Sequence, residues 1–558
     1  MRPIGSIVSW NRGSPGSPLD RILGGFRPRA PGCGLAIFAL ALGSGCGDPA
    51  PVATTIRISP DDVVLEDVLK TADLTATVLD ENGVAMTDIP VDWTSSDSAI
   101  AAVSESGRVT GRAAGTTTVR ASVEGVTGEA TIVVKLGEVG VLHVVHEEMG
   151  GDGWEDDYNW KTEAPLYTWH GVRTEDSMPA QKVTRLWLYD NGLTGGLPPE
   201  VGTVQTLRFL GLFRNRITGA IPPELGQLTD LITLSLSENQ LTGSIPSELE
   251  SLQSLRFLVL DNNELTGSIP PELGKLWNLE RLDLAMNALS GSIPPELGKL
   301  RNLRTLDLAM NALTGSIPRE LGNLESMMLD LSNNRLTGPI PPELGNIRPL
   351  WYLHLNGNEL VGPIPPELGN FWTLQDLVLR DNQLTGAIPR ELGRLKRQLR
   401  HLDLANNRLT GTIPAELGDS LRLISVDLSG NQLEGPIPPE LGNLNNLQEL
   451  LRRLDLSDNR LTGPIPGELG NRVYLTDFDL SNNELTGPVP VELGNLGELH
   501  SLSIFGNPLT GPLPRELIGL PLALFHWHDT DLCAPTDDEF QEWLDSIEDH
   551  RGNGNCDS

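Results

Sequence analysis

The stretch LDLAMNALTGSIPRELGNL, Leu306 to Leu324, and its many relatives along the chain decide the fold. An asparagine recurs at Asn191, Asn215, Asn239, Asn263, Asn287, Asn311, Asn334, Asn358, Asn382, Asn407, Asn431, Asn459, Asn483 and Asn507. Most steps are 24 residues, with exceptions of 23 to Asn334, 25 to Asn407 and 28 to Asn459. Self-similarity at such a period predicts a solenoid of stacked coils rather than one compact globule.

Each position of the unit has a physical role. Leu306 and Leu308 point one way on a short strand and Asp307 the other. The asparagine that follows ends the strand, and a buried amide both donates and accepts, so it can satisfy backbone groups of adjacent coils. The glycine of Leu-Thr-Gly supplies a turn. Ile-Pro favours an extended backbone. Pro-Glu-Leu-Gly reads as one short helical turn, with proline early and glycine as a stop. No coil buries its leucines alone; stacked coils do.

This pattern resembles the leucine-rich repeat family, in the 24-residue class with L-x-x-N-x-L-T/S-G-x-I-P familiar from plant receptor ectodomains. The resemblance covers about Val183 to Leu520. It implies an α/β solenoid, a horseshoe with a parallel β-sheet on its concave face. In that family the concave face binds proteins or peptides, sometimes oligosaccharides, and performs no chemistry. No cofactor is implied, and the chain is not expected to be an enzyme.

Composition sets limits. The chain has 558 residues, too many for a single core, and a net charge of −33. Nucleic acid and anionic headgroups are poor partners for such a surface. A plainer reading is that acidity keeps a long exposed surface soluble. The four cysteines are Cys33, Cys46, Cys533 and Cys556, and the last two are a disulfide candidate outside the cytoplasm.

Residues 1–46 read as an export signal: Arg2, Arg12, Arg21, Arg27 and Arg29 precede an apolar run from Gly34 to Leu42. Gly43, Ser44, Gly45 and Cys46 then resemble a bacterial lipoprotein processing site, which implies lipidation at Cys46. Gly43 departs from that motif, where leucine or valine is usual, and ordinary secretion or a retained segment stays open. The expectation is an exported protein, a cell-surface or outer-membrane lipoprotein or otherwise secreted, touching membrane only through a lipid anchor. Residues 47–54 form a tether.

Residues 55–135 alternate apolar and polar between turn residues, an all-β sandwich signature. The run VDWTSSDSAIAAVSESGRVTGRAAGTTTVRASVEG resembles the bacterial Ig-like group 2 domain, a spacer or adhesive module on cell surfaces. Trp93 is expected to plug its core.

Residues 136–182 read as an N-terminal cap, with a short helix over Val139 to Met149 and Trp154, Trp160 and Trp169 to cover the first leucine layer. The motifs G-G-x-x-W, N-W and W-x-G-V resemble the caps seen with these repeats, although the paired cysteines of the plant version are missing. Residues 183–520 hold about fourteen coils. Residues 521–558 resemble a C-terminal cap, with Phe540, Trp543, Leu544 and Ile547 at helical spacing and Cys533–Cys556 tying the helix down.

Candidate chemistry is thin. His143, His146 and Glu147 lack the H-E-x-x-H order, and an exposed helix face explains them. His526 and His528, with His550 nearby, are expected to point oppositely about Trp527 on a strand, which argues against a metal site. Asp283, Asp307, Asp330, Asp403, Asp427, Asp455 and Asp479 share one strand position roughly 5 Å apart. Carboxylate pairs so spaced occur in glycoside hydrolysis, but a ladder offers no single pocket, and a solvated polar face is the simpler reading.

Aromatics on the inner face are uneven: Trp187, Tyr189, Phe209, Phe213 and Phe257 early, Tyr352 and His354 in the middle, Phe505 late. Exposed aromatic clusters anchor interfaces. Burial of the early group against the cap is the competing reading. The expected function is recognition of a protein or peptide on the concave face, with a neutral or cationic glycan as a variant. The alternative is an adhesive or structural envelope protein, in which the Ig-like domain and repeats give reach and avidity.

Overall fold

A computed structural model describes residues 51–556 apart from 163, 176–181, 396, 421 and 443–450. The export-like segment, with Cys33 and Cys46, lies outside the described residues.

The sequence alternation from Ala53 to Val134 builds two-, four- and three-stranded sheets around one core. The strands Gly115–Val123 and Val126–Val134 form its longest hairpin. Their inward residues Val119, Ala121 and Ile132 are fully buried. Trp93 does not plug this core. It packs at the edge, partly buried, beside Gly107, because its strand Asp92–Ser95 lies at the margin of the four-stranded sheet.

The solenoid begins with Val183–Trp187 and adds one short strand per coil. Seventeen strands among the described residues form one sheet, parallel from Val183–Trp187 onward. Register is strict: Leu186 pairs with Leu210, Leu210 with Leu234, and Leu234 with Leu258. Leucine therefore stacks on leucine, and Leu210, Leu234, Leu258, Leu282 and Leu306 are wholly inaccessible. A flanking row of short strands follows most of the asparagines, and a 3-10 turn such as Pro223–Gln227 forms the outer side.

The asparagines bind coil to coil. Asn239 donates from Nδ2 to the carbonyls of Leu212, Leu236 and Ser237, and its Oδ1 accepts from the Ile217 N–H, all within 3.1 Å. Leu212 and Ile217 belong to the preceding coil. Asn191, in the first coil, turns the same chemistry on the cap, donating to the Asp156 carbonyl and accepting from the Asp156 N–H. At the other end Thr530 stands in place of a further asparagine, donating to the Trp527 carbonyl.

The two glycines of each repeat do different work. Gly219 has φ +78°, a left-handed turn with open space around a would-be Cβ. Gly226 is no helix stop of that kind. Its backbone is ordinary, and a Cβ there would lie 2.4 Å from the Glu248 carbonyl oxygen of the next coil. It is glycine because the coils approach that closely.

Helix α1 spans Glu138–Glu148. The segment after it brings Trp154, Trp160 and Trp169 over the first coil, and each indole N–H finds a carbonyl, of Met149, His170 and Ala164. The expectation that His143 and His146 sit on an exposed face fails. His146 is 2% exposed, lodged between Trp154 and Trp160, and His143 stacks on Trp169 at 5.6 Å. Two polar rings thus fill the cap, His146 tilted against Trp154 and stacked on Trp160.

Asp67 of the Ig-like domain reaches across the domain boundary to the start of α1. Its carboxylate accepts from the N–H groups of Gly137, Val139 and Gly140, at 3.0, 3.2 and 3.1 Å. A helix N-terminus has just such unsatisfied donors. The C-terminal cap is helix α2, Asp538–Asp545, started by Asp537, which accepts from the Phe540 N–H. Phe540, Trp543, Leu544 and Ile547 are buried under it, and Cys533 is bonded to Cys556.

Candidate ligand-binding face

The strand positions that alternate with the leucines point to the inner face. Trp187, Gly211, Ser235, Val259, Asp283 and Asp307 stand in one register-aligned column. Tyr189, Phe213, Ser237 and Asp261 occupy the neighbouring one, two residues on along their strands.

The early aromatics meet one another. Tyr189 lies flat on Phe213, with ring centres 5.0 Å apart, and Trp187 meets Phe213 edge-on at 5.9 Å. The Arg185 guanidinium covers the Phe209 ring at 4.5 Å, and Arg256 lies 5.5 Å from Phe257. Tyr189 is 50% exposed; Trp187, Phe209, Phe213 and Phe257 are partly exposed. The tryptophans of the cap meet one another edge-on or tilted, and His143 and His146 stack on Trp169 and Trp160. Gly211 is what makes room: a Cβ there would sit 2.7 Å from the Trp187 ring.

In the middle the face turns acidic. Asp330 and His354 pair at 3.1 Å, beside Tyr352. Burial would push that carboxyl up, but hydrogen bonds from His354 and Ser332 outweigh it and hold Asp330 below its ordinary value. Burial likewise works against the charged His354 imidazole, but its bond to Asp330 raises its pKa. Asp283 is nearly buried and pairs with Arg281 at 2.6 Å. Among the described residues Asp307 forms no ion pair, and burial lifts its carboxyl to about 6 against the pull of Arg281. Asp261 is also pushed to about 6, by burial and then by Asp283.

Further on three carboxylates have arginine partners from within the sheet. Arg453 bridges Asp427 at 3.3 Å and Asp455 at 3.1 Å, and Arg380 lies 3.6 Å from Asp403. Burial still raises Asp403 and Asp455 above the ordinary value. Asp479 accepts from the Ser481 hydroxyl.

At the far end Phe505 stacks on His528 at 4.6 Å, and His526 lies 6.0 Å from His528. The opposite orientation expected of these histidines is wrong. Residues two apart on a strand share a face, and it is Trp527 between them that enters the core. His550 lies on the last strand, Asp549–Arg551. Among the described residues no group of three histidine, cysteine or acidic side chains is placed to hold a metal ion.

Sequence reading missed Asp261, Gly211, Met286 and Met310. Asp261 was legible two residues before Asn263, aligned with Tyr189 and Phe213. Met286 and Met310 precede their asparagines, are 42% and 50% exposed, and hold φ +54°, where other coils place Asn, Asp, Gly, Arg or Glu.

Geometry of this kind defines a class, the leucine-rich-repeat solenoids with an open inner sheet. Family models agree. The leucine-rich repeat region matches residues 198–317, and single leucine-rich repeats match at seven places from 327 to 496. The bacterial Ig-like domain (group 2) matches residues 52–134. The chain belongs to the leucine-rich repeat family and carries an N-terminal bacterial Ig-like group 2 domain.

No curated protein matches the chain in sequence. Similar solved structures include the plant peptide hormone receptor RGFR1 in complex with RGF2, at 35% identity and TM-score 0.57 over 62% of this chain. A TDR receptor is similar at 28% identity and TM-score 0.51, covering 62% of this chain and 68% of that one. The Arabidopsis receptor kinase HAESA ectodomain with an IDA peptide hormone, at 24% identity and TM-score 0.50, covers 75% of this chain and 86% of that one and shares the fold. The chain spans 59% of the length of the first of these. Among the described residues no helix is long and apolar enough to cross a membrane.

Proposed function

We propose that this is a non-catalytic recognition protein that takes a protein or peptide ligand along its concave face. The observation that carries it is the aromatic group of the first coils. Tyr189 and Phe213 stack on the open sheet, and Gly211 clears the floor for Trp187. Large apolar rings left at a surface are interface anchors. Phe209 and Phe257 extend the group, with Tyr352 and His354 farther along the same face. Similarity to a peptide hormone receptor solved with its peptide supports the reading.

The test is a selection of random displayed dodecapeptides on the whole chain. Enriched peptides should lose binding to Phe213→Ala and Tyr189→Ala while both melting curves hold. If these changes only lower the melting temperature, the rings belong to the cap and the anchor is gone.

An adhesive role is the second reading, favoured by the Asp67 joint between the Ig-like domain and the foot of α1. A glycan ligand on the same face is a variant. We also propose export through residues 1–46 and surface retention by lipid at Cys46. Cys46→Ser should release the protein from the membrane fraction; continued retention would mean another anchor.

A further inference from the structure

We infer that the inner face is built for an extended cationic peptide laid along the solenoid axis. An apolar side chain sits on the Tyr189–Phe213 pair, and lysine or arginine follows about three and about six residues beyond, toward Asp261 and Asp307. This rests on the recognition reading above and adds the ligand's charge and spacing to it.

Charge complementarity comes first. Among the described residues the inner-face carboxylates divide into those with a cationic partner and those without, and Asp261 and Asp307, the two nearest the aromatic patch that lack one, are of the second kind. Asp403, Asp427 and Asp455 have arginines from neighbouring strand positions. Between the aromatic patch and the Asp330–His354 pair, Arg281 makes its ion pair with Asp283 and acts on Asp261 and Asp307 only from a distance. Among the described residues Asp261 and Asp307 form no ion pair, and Asp307 accepts from the Ala309 N–H within its own coil. Burial raises both carboxyls to about 6, and the Arg281 charge nearby offsets only part of that. A guanidinium or ammonium arriving there would remove that penalty, and an acidic ligand would deepen it.

Spacing comes next. Phe213 lies two coils from Asp261 and four from Asp307. At about 4.8 Å per strand those are about 10 and 19 Å. An extended chain advances about 3.3 Å per residue, which gives three and six residues.

The methionines add an independent sign. Met286 and Met310 project apolar side chains from left-handed corners in the same two coils as Asp283 and Asp307. Thioethers are soft and adaptable, and the long methylene stems of lysine and arginine pack well on such groups. The net charge of −33 favours approach of a cation from solution.

The experiment uses the dodecapeptides selected above on the full chain at neutral pH and low salt. Enriched sequences should be net positive, with Lys or Arg three and six residues from an aromatic or leucine. Affinity of the best synthetic peptide should fall about tenfold with Asp261→Asn or Asp307→Asn and stay unchanged with Asp455→Asn. Melting curves serve as the folding control. Its affinity should also weaken as pH drops below about 6, where Asp261 and Asp307 protonate. Neutral or acidic winners, or winners indifferent to both asparagine variants, overturn the inference and leave recognition standing if Phe213→Ala still abolishes binding. No enrichment of any peptide overturns both.

Discussion

At one end of the solenoid three tryptophans and two histidines cover the first leucine layer; at the other a single eight-residue helix does so, tied by Cys533–Cys556. Both ends hide the same kind of surface, because a terminal coil has leucines and no neighbour. The N-terminal lid is held by fit and by joints to other elements. Glu138 accepts from the Val183 N–H and the Thr206 hydroxyl of the first coils, and Asp67 joins α1 to the Ig-like domain. The C-terminal lid is small and has a covalent tie. Packing area and crosslinking are thus interchangeable ways to close a repeat stack, but they fail under different stresses.

The largest expected effect is Trp160→Ala. Trp160 touches Trp154, Trp169 and His146, so its loss opens the centre of the N-terminal lid and should cost about 3–5 kcal/mol in urea unfolding. A loss well below that would show that the lid collapses around the gap. Replacing both Cys533 and Cys556 by serine removes a crosslink across 23 residues and should cost about 3 kcal/mol. Hydrogen exchange should then rise in α2 and the last coils while the first coils stay protected. Equal loss at both ends would break the contrast.

Asp67→Ala leaves three helix N–H groups without their acceptor, a loss of about 1–3 kcal/mol. Small-angle scattering should show the Ig-like domain swinging relative to the solenoid. An unchanged profile would assign the joint to packing around Leu136, which contacts both cores.

Mild acid should separate the ends with the smallest effect. Burial lowers the pKa of His143 and His146, with Lys161 adding to it and Glu147 opposing it. Below the ordinary histidine value of 6.5 the unfolded chain therefore binds more protons than the folded one. The stability from the neutral imidazoles is complete above that pH and is lost as pH falls through it. At the other end burial works to raise Asp537, but the Phe540 N–H and Arg515 outweigh it and hold the carboxyl below 3.8, so its contribution persists to lower pH. Tryptophan fluorescence should shift first from the N-terminal lid, and His143→Gln should flatten that early shift.

Much of this was legible in the chain. The period placed every asparagine, the alternation placed the aromatics on the strand face, and the stripe of Phe540, Trp543, Leu544 and Ile547 marked α2. What escaped were contacts with no local signature. His143-x-x-His146-Glu147 looks like an exposed helix edge until the tryptophans fold back over it. Gly226 looks like a helix stop until the next coil arrives at its α-carbon. Asp67 looks like one more surface acid in an acidic chain, yet it is 8% exposed at the foot of α1.

The sequence by itself determined the shape of each coil and the way coils repeat, because leucine, asparagine, glycine and proline act within one turn or on the copy next door. Only the tertiary structure decided which acids of the inner sheet have arginines, which rings stay open, and how the Ig-like domain is joined to the stack. Those depend on side chains that differ from coil to coil and meet across 24 or more residues, where a repeating pattern carries no information.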